Sequence, residues 1–217
     1  MNEQILIPSF FNFKKCALIG NASNIKQNEY GNIIDKFENV IRLNVGPTKN
    51  YENYVGSRTT HRIISQQAYQ NENIQNKFEI NFIKNTKNLK ILVIAEDNKY
   101  ELLKKRNQYI DKSINIFFFE NLFNKNLRFY VSSKYNIFKK LYYYKYGKNL
   151  SVGLVAISIL YLLDIEVELF GFDLNKKTDN YGHYYDEEKK IFTNHDFEYE
   201  NKLLNSIIKS GKIKLNL

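Results

Sequence analysis

Seven short, mostly apolar runs constrain the fold of this chain more than any other feature. Residues 16–19 (CALI) stop at Gly20, 40–43 (VIRL) at Asn44, and 165–170 (IEVELF) at Gly171. Residues 62–65, 90–95 (KILVIA), 114–119 and 213–215 read the same way. Runs of this length with little polar alternation mark strands buried on both faces. Between them lie stretches of helical period at 28–36, 97–106, 133–146, 151–163 and 196–210. Strands alternating with helices predict a parallel sheet covered on both sides. Ligands on such sheets sit beyond the carboxyl ends of the strands, so the loops after Ile19, Leu43 and Phe170 are where a site belongs.

The helix expected over 151–163 carries Val152, Val155, Ala156, Ile159 and Leu163 at 3, 4 and 7 spacing, one apolar face. Ser151 is placed to cap it. Its apolar stretch, 154–163, ends at Asp164 and is about half of the ~20 residues a bilayer-spanning helix needs. The opening Met1-Asn2-Glu3-Gln4 lacks the basic and apolar regions of a secretory signal. The one cysteine, Cys16, has no internal partner, which points to a reducing, cytoplasmic setting. No repeat or linker divides the 217 residues, so one domain over 1–217 is expected.

The formal net charge of +9 favours an anionic partner. The excess is carried mainly by Lys in a chain rich in Asn, Ile and Tyr, a bias typical of AT-rich genomes, which weakens the case for nucleic acid. No RRM, KH or helix-turn-helix pattern is present. The basic aromatic segment 134–148 (KYNIFKKLYYYKYGK) has two readings. The preferred one is a solvated helix face with half-buried tyrosines; the other is a face for anionic lipid, glycan or nucleic acid.

The loop 20–24 (GNASN) follows a strand. Its small residues allow backbone amides to approach a phosphate, and Asn21 and Asn24 carry amide donors. Read alone, it is equally a polar turn. Asn44, in 42–48 (RLNVGPT), ends the next strand and points to the same crevice, although Gly46-Pro47 is also ordinary turn chemistry. The three histidines are His61, His183 in YGHYYD and His195 in HDFEYE. His195, at a helix start, would feel a positive dipole end that favours the neutral form a base needs. Glu200, five residues on, is better placed to support local backbone than to touch the ring. No Cys pair, HExxH or DxD suggests a metal, and no GxSxG suggests a nucleophile.

Together these segments resemble the animal-type sialyltransferases of glycosyltransferase family 29. Residues 16–60 (CALIGNASN…VIRLNVGPT…VGSRTTH) look like the large motif, and 150–172 (LSVGLVAISILYLLDIEVELFGF) like the small motif. His183-Tyr184-Tyr185-Asp186 matches the third motif, and His195 with Glu200 matches the very small motif. The resemblance implies a single-domain, Rossmann-like, GT-A-like fold with a mostly parallel sheet and helices on both faces. It implies a CMP-sialic acid donor, a glycan acceptor (a terminal galactoside of a surface glycan), no metal and transfer with inversion.

By position, Asn21 and Asn44 would contact the CMP phosphate and ribose, with Asn24 and Gly171 in the same donor site. Ser151 and Gly153 would hold the donor at a helix N-terminus. His183, with Tyr184 and Tyr185, would stabilise the leaving phosphate, and His195 would be the base. The sequence departs from the family at Leu150, where a proline is usual, and at Val152, where a hydroxyl is usual. It departs again at Leu163, where animal enzymes carry the cysteine that pairs with the large motif. These departures imply a soluble bacterial-like form and leave a Kdo-like CMP-ulosonic acid open as donor. Peripheral contact with an anionic membrane is a further expectation. Nucleic-acid binding is the rival from another class and is not expected.

Overall fold

The computed structural model describes residues 9–65, 89–94, 115–118, 150–173, 182–186, 195–209 and 211–216. Seven strands form one sheet: β1 (Lys15–Ile19), β2 (Val40–Leu43), β3 (His61–Ser65), β4 (Lys90–Ile94), β5 (Asn115–Phe118), β6 (Glu166–Phe170) and β7 (Ile213–Leu215). Among the described residues four helices accompany them: α1 (Gly31–Ile34), α2 (Glu52–Val55), α3 (Val152–Leu162) and α4 (Phe197–Ile208). All six strand pairings are parallel. The strand order is β5-β4-β3-β2-β1-β6-β7. The chain starts in the middle of the sheet, walks to one edge, then returns to lay β6 beside β1. The order therefore reverses at β1, and a crevice opens there at the carboxyl ends of the strands.

The pleat explains the two cores. Alternate residues of β1 face opposite sides. Cys16 and Leu18 join one buried cluster, with Ile41, Leu43, Ile63 and residues of α3 and α4. Ala17 and Ile19 join the other, with Val40, Ile34, Val55, Phe170 and Tyr184. Helices thus cover both faces, as the unalternating strand runs require. Cys16 is a free thiol within the first cluster. Burial pushes its pKa up to about 12, which keeps it protonated and inert at neutral pH.

The strand readings hold to within a residue or so at each end. The helix expected over 28–36 is shorter, only Gly31–Ile34. The helical stretches expected at 97–106 and 133–146, and the basic segment 134–148, lie outside the described residues. The helix over 151–163 is present, but its single apolar face is a correction. Leu154, Val155, Ala156, Ile157, Ile159 and Leu160 are all buried, whereas Val152 is half-exposed. The physical reason is that α3 packs between the sheet and α4, and a helix covered on two sides is apolar on both. Among the described residues no helix is long and apolar enough to cross a membrane.

His61 belongs to the fold rather than to the crevice. Its ring meets Phe10 and Phe13 edge-on at 4.9 and 5.0 Å, and Nδ1 lies 2.7 Å from Thr60 Oγ1. Burial, with Lys90 nearby, lowers its pKa from 6.5 to about 4. A base whose pKa falls on folding contributes stability above the unfolded value that is lost as pH falls through the folded value. Unfolding free energy should therefore drop between pH 6.5 and about 4 in the wild type. In His61→Gln, denaturant titrations across that range should lack this component; an identical pH slope would contradict it.

Candidate active site

Two close backbone approaches build the floor of the crevice. Gly20 and Gly171 end the neighbouring strands β1 and β6 back to back. A Cβ on Gly20 would lie 2.4 Å from the Gly171 carbonyl oxygen, and Gly171 has φ +69°. Gly20 N–H donates to Phe170 O at 2.8 Å, and Ala22 N–H to Gly171 O at 3.1 Å. Glycine satisfies both the contact and the left-handed backbone. This is the observed role of Gly171: it lets the loop 20–24 leave the sheet directly over the β6 exit.

The second loop is held from beneath by Arg62, and the turn leading into β3 by Arg42. Arg42 and Arg62 are register partners on β2 and β3, 1% and 0% exposed. Arg62 Nη1 donates to Asn44 O at 2.5 Å and Nη2 to Gly46 O at 3.0 Å. Arg42 Nη2 donates to the carbonyls of Val55, Gly56 and Arg58, and Nε to Thr59 Oγ1. Burial lowers the Arg42 pKa to about 10, so it remains cationic at neutral pH. Arg62 is lowered as well, by burial and by the charge of Arg42. Asn44 takes the left-handed region at φ +45°, which Asn tolerates, and its Oδ1 accepts from Ser65 N–H at 2.9 Å.

The loops converge. Asn21 Nδ2 donates to Leu43 O at 3.2 Å, and a Cβ on Gly46 would lie 2.6 Å from Asn21 Oδ1. Asn21 O accepts from Tyr184 N–H at 3.0 Å, and Ala22 forms an isolated antiparallel bridge with His183. The segment 182–186 is thereby fastened to the loop after β1. Within it, His183 Nδ1 lies 2.8 Å from Asp186 Oδ2, and the ring stacks on Tyr185 at 4.9 Å and 9°. A carboxylate on one ring nitrogen fixes the orientation of the imidazole.

On the opposite side, Gly153 at the start of α3 comes close to Phe172 Cε1 and Leu43 Cδ1, at 3.1 and 3.5 Å from where a Cβ would stand. Ser151 caps α3 by accepting from Leu154 N–H. The Ser151 N–H and hydroxyl both donate to Glu200, 4% exposed on α4. Burial pushes the Glu200 carboxyl up to about 7 against the pull of those two bonds. His195 directly precedes Asp196, whose side chain caps α4 at Tyr199 N–H, and its ring meets Phe197 at 5.5 Å.

Two expected donor contacts change in this geometry. Tyr184 is 1% exposed and its hydroxyl donates to Pro47 O at 2.5 Å, so it clamps the loop 44–48 rather than facing a ligand. Burial pushes its pKa up to about 12, keeping it a neutral donor. Ser151 has committed both of its donors to Glu200, so it shapes the helix start. Asn24 lies over the β6 exit, with Nδ2 3.4 Å from Phe172 O and Oδ1 unpartnered among the described residues. Sequence reasoning missed Arg42, Arg62 and the Asp186 partner of His183. Their signal was present: a charged residue inside each of two buried strand runs, and an acid three residues after a histidine.

This geometry defines an α/β protein with a candidate site at the switch point of a parallel sheet. The model of glycosyltransferase family 29 (sialyltransferase) matches residues 8–212. The chain belongs to that family. A chicken (Gallus gallus) CMP-N-acetylneuraminate-beta-galactosamide-alpha-2,3-sialyltransferase 1 is 42% identical over 59 residues, 27% of this chain and 17% of the relative. The Arabidopsis thaliana sialyltransferase-like protein 2 is 36% identical over 61 residues, 27% of this chain and 14% of the relative. The curated matches therefore span about a sixth of the relatives' length.

Among solved structures, a mammalian sialyltransferase aligns with TM-score 0.62 at 21% identity, over 94% of this chain and 68% of that one. The Campylobacter jejuni sialyltransferase CstII, in complex with cytidine-5'-monophosphate, aligns with TM-score 0.58 at 16% identity, over 94% and 79%. At these identities the two structures establish a shared fold.

The Tyr184 clamp is testable. Tyr184→Phe removes one hydrogen bond and little volume, so unfolding free energy should fall by about 0.5–1.5 kcal/mol. Chemical denaturation checks this, and an unchanged midpoint would mean the hydroxyl holds nothing.

Proposed function

We propose that this protein transfers sialic acid from CMP-sialic acid to a hydroxyl of a glycan acceptor. The observation that carries the reading is the family match over residues 8–212; the ties of Asn21 to Leu43 and of Tyr184 to Asn21 and Pro47 at the ends of β1 and β2 support it. The names of the relatives support a CMP-activated donor and a galactoside acceptor.

The chain's own residues then divide the work. The amides of the loop 20–24, Asn21, and the Asn44 side chain cradle the nucleotide's phosphate and ribose. Gly153 lets the donor approach the N-terminus of α3, where backbone amides favour negative charge. His195 accepts the proton of the acceptor hydroxyl as its oxygen attacks the anomeric carbon from the face opposite CMP. The glycosidic bond to the phosphate breaks with its electron pair leaving on CMP, and the configuration inverts. His183, oriented by Asp186, donates a hydrogen bond to the departing phosphate. CMP is a good leaving group, so charge stabilisation suffices. Imidazoles here supply the electrostatic help that other glycosyltransferases draw from a divalent ion.

A Kdo-like ulosonic acid on CMP presents the same carboxylate and phosphate, and is the second donor to test. Binding at an anionic membrane through 134–148 is part of the proposal, since lipid-linked glycans are assembled at such surfaces. Co-sedimentation with anionic vesicles should recover the protein; recovery equal to that with neutral vesicles would remove this element.

The test of the reaction is CMP release with EDTA present, offering CMP-sialic acid and CMP-Kdo against a galactoside panel. Release from CMP-sialic acid that depends on the acceptor is expected. Release from CMP-Kdo alone would replace the donor, and tight RNA or DNA binding without CMP binding would replace the function. His195→Ala should lower kcat by about 10²–10⁴-fold with CMP affinity nearly unchanged. Near-wild-type turnover would remove His195 as the base. Asn21→Ala should weaken CMP binding; equal affinity in a nucleotide titration would take Asn21 out of the donor site.

A further inference from the structure

Asn44 holds the left-handed backbone, φ +45°, at the carboxyl end of β2. Asparagine tolerates that region better than most residues, yet a strained residue persists only where its surroundings over-determine it. Here residues of β3 supply the restraint. Asn44 N–H donates to Ile63 O at 2.9 Å, and Asn44 Oδ1 accepts from Ser65 N–H at 2.9 Å. Asn44 O accepts from Arg62 Nη1 at 2.5 Å, and the other arm of that guanidinium, Nη2, donates to Gly46 O at 3.0 Å. A Cβ on Gly46 would lie 2.6 Å from Asn21 Oδ1, so the turn gripped by Arg62 is also packed against Asn21.

These bonds use the N–H, the carbonyl and Oδ1 of Asn44. Its Nδ2 has no hydrogen-bond partner among the described residues. Only the oxygen of a carboxamide accepts from an N–H, so Ser65 settles which end is which and leaves the NH2 donor for an acceptor on a ligand. Stability alone does not call for a cation at position 62. Arg62 is 0% exposed, and a buried guanidinium is costly to desolvate where an apolar side chain could fill the volume. What the guanidinium adds is a rigid fork that meets two carbonyls of one turn at once. We propose that Arg62 is a positioning residue for nucleotide binding: by gripping Asn44 O and Gly46 O it holds the Asn44 NH2 for the ribose hydroxyls of the donor. Arg62 lies just beyond the segment 16–60 that carries the large-motif resemblance. This role deepens the function proposed above and rests on its placement of the donor.

The experiment titrates CMP and 2',3'-dideoxy-CMP, which lacks both ribose hydroxyls, into wild type, Arg62→Met, Asn44→Gly and the double variant. Glycine keeps the left-handed backbone and removes only the carboxamide. Wild type should bind CMP more tightly than dideoxy-CMP. Asn44→Gly should weaken CMP by about three- to tenfold, the scale of one hydrogen bond. Arg62→Met should weaken CMP by a comparable factor, and the double variant by no more than the larger single effect, because both changes remove the same contact. Affinity for dideoxy-CMP should be the same in all four proteins. In turnover, the loss should fall on the donor KM rather than on kcat.

If Arg62→Met fails to fold, Arg62→Lys replaces it: lysine keeps the charge without the fork and should give the same pattern. Any of four results would overturn the proposal: equal wild-type affinity for the two nucleotides, CMP affinity unchanged in the Arg62 variant, equal losses for the two nucleotides, or losses that add in the double variant. The last two would make Arg62 a structural support only. A wild type that binds neither nucleotide would sink the donor reading, and hydrogen exchange would still decide whether Arg62 positions Asn44. The Ser65 amide should then exchange faster in the Arg62 variant while the Leu18 amide in β1 keeps its protection; equal protection of Ser65 would refute the grip.

Discussion

Two guanidinium groups lie side by side in the interior of this protein, and much of its geometry follows from holding them there. Arg42 and Arg62 occupy partnered positions on β2 and β3 and are almost fully buried. A buried charge is tolerated only with dense hydrogen bonding. That bonding is drawn from backbone carbonyls: Asn44 and Gly46 for Arg62, and Val55, Gly56 and Arg58 for Arg42. The loop after β2 is therefore bent inward over Arg62, and the turn that leads into β3 over Arg42. Asp35 completes the arrangement by accepting from Ser57 and Arg58 N–H groups in the turn between α2 and β3. Burial works against its ionisation, but these hydrogen bonds and the charge of Arg42 hold its pKa below the usual value.

On that base the crevice is assembled from elements distant in sequence. Asn21 ties the loop after β1 to the end of β2, and Tyr184 ties the segment 182–186 to Pro47. Glu200 ties α4 to α3. Each link is a side chain reaching a backbone group, which fixes loops whose own backbones make few regular bonds. The two histidines then stand on opposite supports: His183 on a loop clamped to β1, His195 on the lead-in to a capped helix. In the reaction proposed above, which places one imidazole at the acceptor hydroxyl and another at the phosphate, such supports would hold both rings in place.

The sheet was legible because buried parallel strands leave a strong signature. CALI, KILVIA and EVELF each read as a strand, and the stops at Gly20 and Gly171 follow from a backbone contact too close for any Cβ. The face of α3 was misread because 3.6-residue periodicity assumes one dry side, and this helix has two. Site positions could be carried over from family motifs, but their contacts could not. Tyr184 has the motif position of a ligand contact, yet its hydroxyl is buried against Pro47 O. Ser151 has the position of an anion-binding residue, yet its donors are taken by Glu200. Pairings of that kind join residues 49 and 137 positions apart and leave no local pattern. The buried arginines were legible in principle, as charges inside strand runs, but only the folded sheet shows that they are neighbours.

The account depends most on where the nucleotide sits. A crystal of the protein grown or soaked with CMP tests this directly. The account predicts the phosphate against the amides of the loop 20–24 and the start of α3, within hydrogen-bond reach of the His183 ring, with the ribose toward Asn44. Electron density for CMP outside the crevice formed by β1, β2 and β6, remote from both His183 and His195, would contradict it.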